Sequence, residues 1–382
     1  MRVLYHHRIA SKDGQYVHVE EIIKAMRELG HEVIVVGPAV AENSDFGSDS
    51  GWVDVLKAKL PQWFYEILEF SYSFYAFFKL TRAIIKHKPD AIYERCNLFL
   101  PAGIWAKKLF KLPLQLEVNS PLYLERKKYS GIALDKLAKW SEIYAWRNAD
   151  RVLPVTEVLA TYIRKEGVEE RKIRIIPNGV DTRVFKPKQP TNRLARFQDK
   201  LVVGFVGFCR EWHQLDEVLN LLAKSQRRDL VFLVVGDGPV IGDLKAQAKA
   251  LGFEAQFEST GLVPRDQMPH WLDQIDIALQ PAVTPWASPL KMIEYLAKGH
   301  AIVAPDSANI LELLSEENSR LFKEGDMQGM ISQIECLIDD ESLREKLEKE
   351  ALATIDHLQL SWQGNAQKIL NGYQFTKDED AG

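Results

Sequence analysis

Cysteine is scarce in this chain of 382 residues: Cys96, Cys209 and Cys336 are the only three, far apart and without a CxxC pair. That excludes a disulfide framework and a cysteine-based zinc site, and it suits a reducing compartment. Neither sign of charge is in excess, since 49 Lys and Arg stand against 53 Asp and Glu for a formal net charge of −4. Without a basic surplus, nucleic acid is not an expected partner. No apolar segment of signal-peptide length opens the chain, so the expectation is a cytoplasmic protein. The most apolar and aromatic run, residues 64–85, is interrupted by Glu66, Glu69, Lys79 and Arg82 and does not read as a spanning helix. It reads as a buried or groove-lining helix, with a surface helix dipping into a bilayer face as the alternative. A GxGxxG fingerprint is missing, which removes the main signal for NAD, and no Asp-x-Asp triplet reads as a divalent-ion site. Neither a cofactor nor a metal is expected.

What is present is an ordinary globular composition, 46% hydrophobic and 27% charged, on a chain long enough for two domains of about 150 to 200 residues each. Short apolar strands alternate with amphipathic helices from the first residues onward. Residues 2–5, 31–36, 90–95, 114–118 and 151–156 read as strands of a first α/β half, and residues 201–208, 230–235, 257–261, 275–279 and 301–304 as those of a second. This rhythm predicts a parallel sheet covered by helices in each half. The second half ends on a helix over the NILELL segment and further helices from residue 327. Residues 186–199, polar and with two prolines, read as the linker. At the carboxyl end of the 114–118 strand, Glu117, Asn119 and Ser120 lie where α/β proteins bind ligands, and ligand contact is the preferred reading over turn chemistry, for which Asn and Ser are also common.

One stretch, residues 284–306 (TPWASPLKMIEYLAKGHAIVAPD), carries the clearest chemistry. Ser288 can cap the helix and Pro289 suits its first position, which aims the N–H groups of Leu290 to Met292 outward as an anion site. Lys291 adds a full positive charge in the first turn, where the helix dipole alone favours an acid, so a bound phosphate is the functional reading. Glu294, one turn further on, can reach a neighbouring hydroxyl pair. The alternative is an ordinary helix–strand unit with a solvated Lys–Glu pair.

This stretch resembles the nucleotide-sugar signature of family 4 glycosyltransferases, retaining enzymes of the GT-B architecture. Glu294 falls on the second Glu of the Glu-x7-Glu pattern, the ribose contact, and Trp286 stands where the first Glu contacts the donor sugar. The segments DGQYVHVEEIIKAMRELGHEVIVV, IIPNGVDTRVF, GDGP and DIALQP are also similar to that family. The resemblance implies that Gly14 sits in a loop approaching the donor phosphate, and that Arg210 and His213 occupy the positions of the two cations that neutralise the diphosphate. It implies two facing Rossmann-like domains with a cleft between them: residues 1–185 on the acceptor side, residues 186–355 binding the donor, and residues 356–382 crossing back onto the first domain. The implied reaction is transfer of a sugar from a nucleotide-diphosphate sugar to an acceptor hydroxyl, with retention, in cell-surface glycan or glycolipid synthesis. Arg210, Lys291 and Glu294 would form its catalytic set, with Gly14, Asn119, Ser120, His213, Trp286, Ser288, Pro289, Leu290 and Met292 binding substrate. A glycan or lipid-linked acceptor is implied, and with it peripheral contact at the inner membrane face. A GT-B nucleotide-sugar 2-epimerase and a catalytically silent binding subunit remain alternative readings, the latter suggested by Trp286, Gln214 and Asn119.

Overall fold

The computed structural model describes residues 1–9, 14–38 and 60–379. Asp13, which the resemblance places beside Gly14, lies outside them. The chain divides into two compact units, the first made of Met1–Asn178, Trp286–Ser288 and Trp362–Gly382, the second of Gly179–Pro285 and Pro289–Ser361.

Unit 1 runs β1 (Arg2–His6), α1 (Gly14–Glu28), β2 (Glu32–Val36), α2 (Gln62–His87), β3 (Ala91–Arg95), α3 (Ala102–Phe110), β4 (Leu114–Val118), α4 (Leu122–Tyr129), α5 (Asp135–Asn148), β5 (Arg151–Pro154) and α6 (Glu157–Lys165). Its five strands are all parallel in the order β2-β1-β3-β4-β5. β3 and β4 are buried along their whole length, as central parallel strands covered on both faces must be.

Unit 2 runs β6 (Leu201–Val206), α7 (Leu215–Lys224), β7 (Leu230–Val235), α8 (Ile241–Ala250), β8 (Phe257–Ser259), α9 (Met268–Leu272), β9 (Ile277–Leu279), α10 (Leu290–Lys298), β10 (Ala301–Pro305), β11 (Arg320–Phe322), α11 (Met327–Asp339) and α12 (Glu341–His357). Its parallel sheet has the order β11-β10-β9-β6-β7-β8. Gly299, at φ 68°, ends α10 in the left-handed conformation that glycine adopts without strain. The last helix, α13 (Trp362–Glu379), belongs to unit 1: Tyr373 donates to the Ile92 carbonyl at 2.7 Å, and Gln115 to that of Ile369 at 2.9 Å.

Four expectations change. Unit 1 ends at Asn178 and not at residue 185, because Val180 bridges Ser361 and both Val180 and Phe185 lie in a core of unit 2. Unit 2 likewise extends past residue 355, to Ser361, since Ile355 and Leu360 fill the same core. The NILELL segment is a series of turns held by bonds such as Ile310 N–H to the Ser307 carbonyl, 2.9 Å, and a further strand, β11, follows it. Helix α2 does not bury its aromatic residues. Its inward face is Glu66, Ser73, Ala76, Leu80 and Ile84, while Phe74 and Phe78 stay 62% and 63% exposed. Among the described residues, no helix is long and apolar enough to cross a membrane.

Candidate functional site

In unit 2 the carboxyl end of β6 turns through Gly207 into the loop that carries Arg210 and His213. Gly207 has φ +127°, a backbone conformation that favours glycine, and a Cβ there would stand in ordinary contact with the Lys291 ammonium at 3.7 Å, which places Lys291 beside this turn. The 236–239 turn seats itself on the same loop. Cβ atoms at Gly236 and Gly238 would come within 2.1 Å of the Gly207 and Cys209 carbonyl oxygens, which explains why both positions are glycine.

Lys291 rises from the first turn of α10 with its ammonium 4.1 Å from the centre of the Phe205 ring. No carboxylate pairs with it among the described residues. Loss of hydration brings its pKa down to about 7. An ammonium held over an aromatic ring, with no carboxylate partner among the described residues, is suited to receiving a phosphate.

Glu294, on the next turn, is 3% exposed and is held by Arg265, whose Nη1 lies 2.5 Å from its Oε1. It is therefore a buried, oriented carboxylate and not a solvated surface acid. Arg265 itself rests on the Phe185 ring at 4.7 Å. Sequence reasoning missed this arginine, because its link to Glu294 spans nearly thirty residues and follows no local spacing rule.

The remaining residues of the loop and helix behave differently from the expectation. His213 is not a cation: burial, with the Lys291 charge assisting, lowers its pKa to about 3. Its Nδ1 accepts the Arg210 N–H at 3.1 Å, and its ring lies 4.7 Å from that of Phe205, so it staples the loop. Arg210 is exposed and sits between the rings of Phe208 and Trp212, at 4.8 and 5.2 Å. Pro289 precedes the helix instead of opening it, and no side chain caps the first turn. The Met292 N–H is taken by the Pro289 carbonyl at 3.1 Å, and the Met292 side chain is fully buried in the core. Of the three amides expected to point outward, this removes one and leaves those of Leu290 and Lys291.

Ser288 and Trp286 belong to unit 1. Instead of capping α10, Ser288 is gripped by Asn178, which donates its backbone N–H to Ser288 Oγ at 3.2 Å and its Nδ2 to the Ser288 carbonyl at 2.5 Å. Trp286 is 7% exposed, packs edge-on against Tyr162 at 6.2 Å, and accepts the Thr156 hydroxyl on its carbonyl at 3.0 Å. It is a core residue of unit 1, which corrects its expected place beside the donor sugar.

Elsewhere in unit 1, Gly14 opens α1. Asn119 is turned back onto Glu117 at 2.5 Å, and Ser120 follows it, partly buried, at the end of β4. Glu117 is the hub of a buried polar cluster at the carboxyl ends of β3 and β4. It accepts from Tyr93 at 2.9 Å and from Arg95, and its Oε2 lies 3.0 Å from His18 Nε2. Burial alone would raise Glu117, but the charges of His18 and Arg95 hold its pKa well below the usual carboxylate value. Close by, His6 Nδ1 lies 2.6 Å from Glu94 Oε1. The sequence already places Glu117 at this strand end; its partners His18, Tyr93 and Arg95 come from α1 and β3 and follow no local spacing rule.

Residues 12–184 match the family described as Glycosyltransferase Family 4, and residues 189–354 match Glycosyl transferases group 1. The chain is 34% identical to 2-deoxystreptamine glucosyltransferase of Streptomyces kanamyceticus over 152 residues, a match spanning 37% of this chain and 39% of that protein. Over 365 residues it is 24% identical to alpha-monoglucosyldiacylglycerol synthase of Streptococcus pneumoniae, covering 90% of this chain and 81% of that one. The crystal structure of Anabaena HepE in complex with UDP superposes with a TM-score of 0.75 at 18% identity, covering 98% of this chain and all of the other. With two Rossmann-like parallel-sheet units and family matches across both of them, the chain belongs to the family 4 glycosyltransferases and carries the GT-B fold.

Proposed function

We propose that the protein transfers a sugar from a nucleotide-diphosphate sugar, with UDP as the first nucleotide to test, to an acceptor hydroxyl with retention at the anomeric carbon. The observation that carries this reading is Lys291: a partly desolvated ammonium, without a carboxylate partner among the described residues, one helical turn from the buried carboxylate of Glu294. The complex of HepE with UDP supports the choice of nucleotide, and family membership supports retention. In the reaction the bond between the anomeric carbon and the diphosphate oxygen breaks while the acceptor oxygen bonds to that carbon. The acceptor proton passes to the departing phosphate. Lys291, Arg210 and the first-turn amides of α10 offset the charge that develops on the diphosphate, with no metal ion needed. Glu294 would orient the ribose.

A proton-linkage experiment tests the phosphate role. The empty site has a Lys291 pKa of about 7, and a bound diphosphate favours the charged form and raises it. Protein with neutral Lys291 must then take up a proton in order to bind. Affinity for UDP is expected to be highest near about pH 6 and to fall up to tenfold per unit towards about pH 9, with proton uptake visible in calorimetry. Lys291→Arg, which stays charged, should flatten the profile. An identical slope in the parent and in Lys291→Ala would remove Lys291 from the phosphate site.

We also infer contact with a membrane surface and a lipid-linked acceptor, and the observation behind this is the outer face of α2. Trp63, Phe64, Phe74, Tyr75, Phe78 and Ile85 are all exposed there, a larger apolar surface than a solvated helix normally keeps. The diacylglycerol in the name of the pneumococcal relative is in keeping with it. Six basic residues near the same unit's surface, Lys107, Lys108, Lys111, Arg126, Lys127 and Lys128, contribute less than their charge suggests. Lys107 is bound to Asp150 at 2.6 Å, Arg126 to Glu69 at 2.6 Å and Lys127 to Asp135 at 2.9 Å. Only Lys108, Lys111 and Lys128 of the six lack a carboxylate partner among the described residues. Flotation with anionic vesicles should therefore be only partly salt-sensitive, and Phe74→Ser with Phe78→Ser should abolish it. Parent protein that stays at the bottom of the gradient at low salt would exclude membrane contact.

A further inference from the structure

In unit 2 the segment that reads as a linker is not loose: its residues 188–194 form a strap laced to the body of the unit by polar contacts. The Lys188 N–H donates to the Lys298 carbonyl at 3.0 Å, the Leu194 N–H to Gln274 Oε1 at 2.8 Å, and Gln274 Nε2 to the Asn192 carbonyl at 3.0 Å. Asn192 Nδ2 donates to Asp273 at 2.9 Å, and Arg193 forks onto Asp276 at 2.9 and 2.8 Å. Beside this lacing, between α10 and β10, lies His300, which is wholly buried. We propose that His300 is an acid-sensitive latch, which on taking a proton lifts the strap of residues 188–194 from unit 2. The inference is independent of the glycosyl-transfer reading.

The first argument is what surrounds the ring. Neither of its nitrogens has a hydrogen-bond partner among the described residues, and the Tyr295 ring stands edge-on to it at 5.7 Å. The charged groups that act on it are Lys188 and Arg193 from the strap and Lys298 from the last turn of α10. Each of these already has a carboxylate: Glu348 of α12 for Lys188 at 2.9 Å, Asp276 for Arg193 at 2.8 Å, and Asp273 for Lys298 at 2.5 Å. None of the three acids is free to receive an imidazolium. Burial, with the three cations assisting, therefore holds His300 well below the usual histidine pKa, and a loose approach to the Ile275 backbone offsets this only in part.

The second argument is which side can give way. Lys298 stands on α10, whose Met292, Ile293, Tyr295 and Leu296 fill the core, and the turn bearing Asp273 and Asp276 is anchored there by Leu272 and Ile275. The strap is held by the polar contacts above and by the partly buried Leu194, and it carries two of the three opposing cations. Lifting it withdraws Lys188 and Arg193 from the ring, frees Glu348 and Asp276, and admits water. In the closed strap His300 stays neutral, whereas in the open one it titrates near about 6.5, so opening takes up a proton below that pH. The strap is thus held fully above about pH 6.5 and progressively less as the pH falls. Tyr295 also accepts the Val206 N–H on its hydroxyl at 3.0 Å, so the latch touches the residue that pins the end of β6, just ahead of the loop carrying Arg210.

Amide hydrogen exchange of the full chain, corrected for intrinsic rates, tests the latch at Lys188 and Leu194. Their opening constant should rise about thirtyfold between about pH 7.5 and about pH 5. Over the same range the amides of β7, such as Leu233, should keep their protection. In His300→Phe, which fills the site without a titrating group, the rise should be absent. NMR of the parent with labelled histidine needs no variant: the His300 ring should remain neutral in the folded protein at about pH 5, where a free histidine is charged. The latch is overturned if His300 titrates near its ordinary value in the folded protein, if the pH dependence persists in His300→Phe, or if β7 opens in step with the strap.

Discussion

Trp286→Ala is expected to destabilise unit 1 by about 3 to 5 kcal/mol, the range for deleting a large aromatic side chain from a packed core. The indole is 7% exposed and lies in the same cluster as Leu159, Ile163 and Val155, with the Tyr162 ring against its edge. Truncation leaves a cavity that the surrounding strands and helices cannot close, because β5 and α6 are fixed by their own ladder and turns. Trp286→Phe should recover most of the loss. Urea unfolding followed by intrinsic fluorescence and by circular dichroism measures the shift in midpoint, with the slope checked so that a change in stability is not confused with a change in cooperativity. A Trp286→Ala protein as stable as the parent, but altered in its choice of donor sugar, would return Trp286 to the sugar-contacting role that the sequence motif suggested.

That reversal illustrates where local pattern stops being informative. The two parallel sheets were readable because a strand buried on both faces must be a short run of apolar residues, as in β7 (LVFLVV), whatever else surrounds it. Gly299 and Lys291 were readable for the same kind of reason: a helix end and a charge in the first turn act within a few residues of themselves. Ser288 was misread because its competing partner, Asn178, lies 110 positions away and offers it two donors where the first turn of the helix would offer one. His213 has the residue type of a cation, but its charge is decided by burial against Phe205 and by the Lys291 ammonium, neither of which a motif records. For helix α2 the expectation of burial holds for one face only, and the aromatic residues that suggested it lie largely on the other. Its buried stripe is Glu66, Ser73, Ala76, Leu80 and Ile84, which contains no aromatic residue. In each case the element was placed correctly and the environment was not, because environment is made of long-range contacts.

Glu294→Ala should cost the protein roughly tenfold to over a hundredfold in UDP affinity, since each hydrogen bond from a ribose hydroxyl to a carboxylate contributes about 1.5 to 3 kcal/mol. Two physical roles compete for this residue. In one, the carboxylate receives the ribose; in the other, it serves only to pair with Arg265 at 2.5 Å and anchor it on Phe185. Both predict some loss of stability, because removing a buried acid leaves its guanidinium partner unpaired, so stability alone decides nothing. Calorimetry with UDP and with 2′-deoxy-UDP does decide. If the ribose role is right, the parent prefers UDP, Glu294→Ala binds both nucleotides equally weakly, and Arg265→Ala falls between them because the carboxylate remains but has lost its orienting partner. The double variant should then be no weaker than Glu294→Ala alone, the non-additivity expected when one residue acts through the other. If Glu294→Ala binds UDP as tightly as the parent while folded, and discriminates against the deoxy form as before, the ion pair is structural and the donor's ribose is held elsewhere.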